Sequence, residues 1–275
     1  MEERSCRILA EGQVYIEYGP AAMKVLAYAN GEPLTELCCR AVHVIHRALE
    51  EISASGPLLR RYSGEIDPTR LSGLPRIMYD AVARTEEPTL TPMAAVAGTV
   101  ADAVADWLFS CGATVAAANN GGDIALRLAP GNSIRLRTVR SLLTGTASDP
   151  IVLRAEDGIG GICTSGLGGR SFTRGVVESL SVFSSRASQA DALATHLANC
   201  SYIPSERVAS TLAKNLDPST DIPELSVVTA VDTLTEEERR QAVSQVLEEA
   251  KRQYARSNYI CMRGYLQGET FFWPE

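Results

Sequence analysis

"ATVAAANNGGDIALRL", residues 113–128, is the stretch whose reading decides the fold. Two apolar runs of strand type flank Asn119, Asn120, Gly121, Gly122 and Asp123. Asn-Gly between alternating apolar runs is the strongest short-range hairpin signal, because the central residues of such a turn must accept positive φ. The expectation is two antiparallel strands joined by a tight turn. The same five residues have a second property. Two successive glycines carry no Cβ, so backbone N–H groups can approach a phosphate or a planar ring, with Asp123 opening the next strand beside them. Asparagine and glycine are also default turn residues, so a plain turn accounts for the motif taken alone.

Upstream lies "TPMAAVAGTVADAVADWLFSC", residues 91–111. Thr91 reads as an N-cap, Pro92 as the first helical residue and Gly112 as the C-terminal stop. Ala94, Ala97, Gly98, Ala101 and Ala105 leave one face nearly bare, open to close approach by another backbone or a ligand. Gly98 costs about 1 kcal/mol relative to alanine in a helix interior, so something nearby must offset it. Residues 6–29 read as two strands around Gly19-Pro20. A helix from Leu34 to Ser53 follows, with Leu37, Ala41, Val44, Ile45, Ala48, Leu49 and Ile52 on one face. Cys39, His43, His46 and Glu50 line its other side; that side is where solvated residues belong, and zinc there is the weaker reading. Residues 54–76, rich in Gly, Pro and Ser, are the least regular part of the chain and suit a lid or crossing loop.

Downstream, strands are expected near 133–140 and 150–155. In "GIGGICTSGLGGR", residues 158–170, a strand ends in Thr164, Ser165 and Gly166. Two hydroxyls and unhindered amides there suit a phosphate or oxyanion, although the pattern fits neither a P-loop nor a dinucleotide fingerprint. "VVESLSVFSS" reads as a strand, and a helix starts at Ser188. On that helix Asp191 and Thr195 are four apart and share a face, an all-oxygen partial site suited to Mg²⁺. Ser188-x-x-Asp191 equally matches a capping box. A polar loop at 215–224 precedes a helix opened by the capping box Thr235-x-x-Glu238 and running to about Arg256. "YICMRGYLQGETFF" closes the chain as a strand. The sum is an α+β fold, mostly antiparallel sheet with packed helices, in a single domain over residues 1–275.

The 275 residues are 45% hydrophobic and 21% charged, with a formal net charge of −7. That sign argues against nucleic acid or an anionic membrane as main partner, while the glycine turns point to a small-molecule ligand. Asp102 and Asp106 interrupt the most apolar stretch, against a membrane span, and the charged N-terminal residues do not read as a secretory leader. Seven cysteines with no C-x-x-C pair argue against a disulfide framework, and a reduced, cytoplasmic protein is expected. The alanine-rich helix faces also suit packing between subunits of a homo-oligomer.

Taken in order, the small-residue helix with its Asn-Gly-Gly-Asp turn, "GIGGICTSG" and "ADALATHLAN" resemble the ApbE superfamily, and most closely an uncharacterised cytosolic branch of it, which "DPSTDIPELSVVTAVDTLTEEE" also resembles. Members of that superfamily are FAD:protein FMN transferases. They bind FAD and, with Mg²⁺, move FMN onto a threonine of an acceptor protein, releasing AMP. The resemblance implies a T-fold-like α+β domain in which Asn119 to Asp123 border a flavin (FAD or FMN) pocket and Thr164, Ser165 and Gly166 line it from a second strand. It implies Asp191 and Thr195 as metal ligands, and a backbone carbonyl brought to the metal near Ala97 and Gly98. Two departures stand out. Residues 170–189, "RSFTRGVVESLSVFSSRASQ", lack the histidine and the Asp-Pro-x-Thr-Gly-like turn of the transferases, and their Lys-Gly is Ala97-Gly98 here. General acid–base assistance from those groups is therefore missing, and Arg170 and Arg174 are the charges left to meet phosphate. The alternative is a pocket that has lost flavin transfer and binds or converts another metabolite.

Overall fold

The computed structural model describes residues 5–141 and 144–274; residues 1–4, whose charges bear on the leader reading, lie outside them. The main sheet has ten strands, and nine follow one another in chain order. They are β1 (Ser5–Ala10), β2 (Gln13–Tyr18), β3 (Ala21–Ala29), β4 (Val115–Asn120), β5 (Asp123–Leu128), β6 (Gly161–Ser165), β7 (Ser179–Ser184), β8 (Cys261–Leu266) and β9 (Glu269–Trp273). The two-residue strand Glu32–Pro33 pairs with β3. Every neighbouring pair is antiparallel, so the fold is α+β with an antiparallel sheet and packed helices, as its motifs implied.

The sheet alternates in burial with period two: Val14 and Ile16 on β2, Met23, Val25 and Ala27 on β3, and Ala116 and Ala118 on β4 all point into one core. Helices α1 (Thr35–Arg40), α2 (Val42–Ala54), α3 (Gly73–Ala83), α4 (Val96–Ser110), α5 (Ala187–Asn199) and α6 (Glu236–Ala255) accompany it. Ile45 and Ile52 of α2, Ala101, Val104 and Leu108 of α4 and Leu193 and Leu197 of α5 join that core. On the other face Ile124, Leu126, Ile162 and Phe183 pack with Leu153, covered by the hairpin of Ser133–Leu136 and Ile151–Arg154.

Several expectations are corrected. Residues 6–29 hold three strands, because Gly12 (φ 70°) turns the chain before the Gly19-Pro20 turn does. The closing segment is a hairpin of two strands, β8 and β9. The helix expected over 34–53 breaks at Ala41 into α1 and α2. Residues 54–76 make one helical turn and two 3-10 turns before α3 begins at Gly73. Pro92–Ala95 is a 3-10 turn, and the Thr91 hydroxyl donates to Asp221 instead of capping the helix. Pro92–Ser110 is long and apolar enough to cross a membrane by length and composition, and half of its apolar window is buried inside the protein.

The cysteines are also corrected: Cys6 and Cys39 form a disulfide tying β1 to α1, with Cα atoms 5.8 Å apart. An odd count with no C-x-x-C pair conceals a bond between residues 33 apart that only the fold brings together. That bond, with the break at Ala41, separates Cys39 on α1 from His43, His46 and Glu50 on α2. His46 there meets the Tyr18 hydroxyl and Glu50, and no cluster of three or more metal-binding side chains occurs among the described residues.

Candidate functional site

The β4–β5 hairpin turns on two residues. Asn120 pairs with Asp123, and Gly121 and Gly122 take φ of 73° and 120°, the left-handed side that glycine occupies without strain. Asn119 Oδ1 accepts from the Gly122 N–H at 2.9 Å, so this side chain braces the turn. Asn120 Nδ2 donates to the Ala97 carbonyl at 3.4 Å, tying the turn to the start of α4. Asp123 faces β6, where the Thr164 N–H donates to Oδ1 at 3.4 Å. The Thr164 hydroxyl and Ser181 Oγ lie 2.7 Å apart, fixing β6 against β7.

Helices α4 and α5 cross at Gly98. A Cβ added there would sit 2.3 Å from the Ala187 carbonyl oxygen and 2.9 Å from Asp191 Cβ. The mid-helix glycine is thus explained by close approach of α5. Each helix also satisfies the other's N-terminus. Asp191 Oδ2 on α5 accepts from the Gly98 N–H at 2.8 Å in the first turn of α4. Asp102 on α4, 2% exposed, accepts from Ala187 N at 3.2 Å and Ser188 N at 2.9 Å in the first turn of α5. Orphan helix amides and the dipole favour a carboxylate at both places. The Ser188-x-x-Asp191 capping box is therefore absent: Asp191 caps the neighbouring helix, and α5 has no side-chain cap of its own. Arg127, 13% exposed at its side chain, pairs with Asp102 at 2.8 Å and Asp106 at 2.6 Å, and Arg186 joins Asp106 at 2.7 Å.

Two chambers, of 340 and 280 Å³, meet at Ala97, Asp123, Asp191 and Thr195, which line both. The smaller is walled by the two glycine turns, with Asn120, Gly121, Gly122, Thr164, Ser165 and Gly166 on one side and Leu49 and Val100 on the other. The larger lies between α4, Phe172 and the loop carrying Asp217 to Ile222, with Arg60 from the 54–76 segment and Arg174 among its walls. The Arg60 guanidinium donates to the Ser219 carbonyl at 2.6 Å, so the segment expected as a lid meets the polar loop at this rim. Arg170 borders both chambers and lies across Gly121, where a Cβ would come 2.7 Å from its Nη1. Asn119 and Gly98 line neither chamber; both act by holding the elements that do.

Both carboxylates at the junction hold their protons more tightly than usual. Burial pushes both Asp191 and Asp123 above the usual carboxylate range, and the Asp123 charge raises Asp191 further. Amide hydrogen bonds from Gly98 and Ala97 to Asp191, and Cys163, Thr164 and Arg170 beside Asp123, only partly oppose this. Cys163 is buried, donates to the Ala187 carbonyl at 3.2 Å, and has its thiol pushed up by burial and these carboxylates. Two half-buried carboxylates and the Thr195 hydroxyl bring side-chain oxygens to the junction that Ala97 also lines, donors of the kind a hard divalent cation takes. Sequence reading missed Asp102, Arg60, Ser171 and the loop at 217–222. Asp102 carried a signal, a charge inside an otherwise apolar helix; for the others only tertiary structure supplies one.

Comparison with known proteins gives the chain its relatives. The UPF0280 protein of Methanococcoides burtonii is 32% identical over 186 residues, covering 67% of this chain and 76% of the relative. That of Methanospirillum hungatei is 30% identical over 190 residues, covering 69% and 76%. Among solved structures, Flavin Transferase ApbE from Vibrio cholerae has a TM-score of 0.39 at 16% identity over 71% of this chain and 86% of that one. The ApbE protein from Thermotoga maritima has a TM-score of 0.39 at 14% identity, over 70% and 87%. A family model described as AbpE bacteria matches residues 6–269, nearly the whole chain. On that match the chain belongs to the AbpE bacteria family.

Proposed function

We propose that the cleft binds a flavin nucleotide, FAD, together with Mg²⁺ and acts on its diphosphate, passing FMN to an acceptor protein or releasing FMN and AMP. The observation that carries this reading is the convergence of Asp123, Asp191, Thr195 and Ala97 where the two chambers meet. One molecule with a charged middle and two bulky ends matches two chambers joined at an oxygen-lined waist. Asp191, Thr195 and the Ala97 carbonyl would hold the cation, with Asp123 beside them. Bound there, Mg²⁺ neutralises charge on diphosphate oxygens. The glycine turns admit a planar ring close to backbone amides, and Arg170, reaching both chambers, supplies a fixed positive charge next to the diphosphate. Asp123, a carboxylate at the waist, is the group placed to exchange a proton with an attacking hydroxyl.

The direct test is incubation of purified protein with FAD and Mg²⁺, with AMP and FMN resolved by chromatography. AMP appearing with the protein, and not with its Thr195→Ala variant, supports the reading; no AMP in any condition sinks it. One observation favours the alternative, conversion of a different metabolite in a retained pocket: no histidine or lysine is among the described residues lining either chamber. Carboxylates and hydroxyls are what remain for proton transfer. Mass spectrometry of small molecules released from denatured protein separates the two readings.

A further inference from the structure

We propose that the larger chamber is an anion-binding subsite in which Arg174 and Arg60 hold a second acidic group of the ligand, a phosphate or carboxylate beyond the diphosphate. On the nucleotide reading above, this chain then takes a more highly charged nucleotide than FAD. Three guanidiniums, Arg60, Arg170 and Arg174, arrive at one chamber from separate parts of the chain. Among the described residues none of the three is in salt-bridge contact with a carboxylate. In a chain of net charge −7, three guanidiniums gather around one chamber that Asp123, Asp191, Asp217 and Asp221 also line.

The carboxylates of the chamber make their hydrogen bonds elsewhere, although the charges of Arg60 and Arg170 act on Asp217 and Asp123. Asp221 accepts from the Thr91 hydroxyl, and Asp217 accepts from Ser219 N and Oγ at 2.8 and 2.7 Å. Asp123 and Asp191 belong to the waist. Arg174 is half-buried and its position is set by its own backbone N–H, which donates to Asn199 Oδ1 at 2.8 Å on the last turn of α5. Its Nη1 reaches only the Thr89 hydroxyl, at 3.4 Å. Arg60 spends one donor on the Ser219 carbonyl. A guanidinium has five N–H donors and stays charged at any working pH, so most of this donor capacity has no protein acceptor among the described residues. Ser171 and Thr220 add hydroxyls to the same walls. Paired, planar, permanently charged donors suit phosphate and carboxylate oxygens.

The test is isothermal titration of inorganic pyrophosphate and of citrate, each alone, in buffer stripped of divalent cations on a chelating resin. The proteins are the wild type, Arg60→Gln, Arg174→Gln and, as a charge-matched control away from the chamber, Arg76→Gln. Saturable binding of either anion is expected, weakened about tenfold or more in each chamber variant and unchanged in Arg76→Gln. Tighter pyrophosphate assigns the second group as phosphate, tighter citrate as carboxylate. No saturable binding, binding indifferent to both chamber variants, or an equal loss in Arg76→Gln overturns the proposal. A parallel FAD titration with Mg²⁺ keeps the two readings apart. Failure there with anion binding intact removes the flavin and leaves the subsite; FAD binding with no anion site does the reverse.

Discussion

Replacing Gly98 by alanine sets two physical effects against each other at the point where α4 and α5 cross. Helix propensity favours alanine by about 1 kcal/mol. Against that, the new Cβ would lie 2.3 Å from the Ala187 carbonyl oxygen, 2.7 Å from its carbon and 2.9 Å from Asp191 Cβ. Overpacking of this kind costs about 1–3 kcal/mol, and rigid backbone atoms belong at the upper end. Ala187 has little room to retreat, because its N–H is held by Asp102 and its carbonyl accepts from Cys163. We therefore expect a net loss of about 1–2 kcal/mol, seen as a Tm lower by roughly 2–8 °C. The same displacement moves Asp191 and Thr195, so Mg²⁺ affinity falls with stability. Urea unfolding followed by circular dichroism, with calorimetric titration of Mg²⁺, measures both. A Gly98→Ala protein as stable as wild type or more so would refute the close-approach account, since propensity alone predicts a gain.

Other perturbations separate scaffold from site. Asp102→Ala leaves two buried α5 amides without an acceptor, at about 1–3 kcal/mol each, while Arg127 keeps Asp106; the loss is read from denaturant midpoints. Gly121→Ala forces a left-handed residue at φ 73° and costs about 1–2 kcal/mol; Arg170, the nearest atom group, is a flexible side chain and can swing away. Thr195→Ala changes stability by less than about 1 kcal/mol yet lowers Mg²⁺ affinity, because the half-buried hydroxyl caps nothing. Glu249 gives a pH signature. Burial raises its pKa, but hydrogen bonds from His196, Arg252 and Gln253 outweigh that and bring it down to about 2 from 4.5. A carboxyl held lower when folded adds stability above its unfolded pKa, and that stability is lost as pH falls from about 4.5 toward 2. Acid titration of the melting temperature should show this loss, flattened in Glu249→Gln; an identical profile in the variant would contradict it.

The hairpin around Gly121-Gly122 was legible because positive φ and strand alternation are local properties written in residue type. So was the capping box at Thr235, which the structure reproduces with both reciprocal hydrogen bonds. Asp191 was legible only in part. Its spacing from Ser188 spoke for a local cap, whereas the carboxylate reaches across to Gly98, a contact 93 residues away in sequence. The same limit hid Asp102 as the cap of α5 and Cys6 as the partner of Cys39. The waist is assembled from α4, β5 and α5, whose convergence depends on sheet order, and no window of sequence encodes that. Arg60 illustrates the extreme: it sits in the least regular segment, and only its meeting with Ser219 brings it to the cleft.

The most direct test is an equilibrium titration of FAD, followed by its fluorescence, into wild type, Thr195→Ala and Asp191→Asn protein, each with and without Mg²⁺. Asparagine keeps an acceptor for the Gly98 amide, so it separates ligand binding from helix capping. The account predicts saturable binding by wild type that strengthens with Mg²⁺, with the Mg²⁺ dependence lost in both variants while their folds persist. No binding by the wild type, or binding indifferent to Mg²⁺ and to both substitutions, would contradict it.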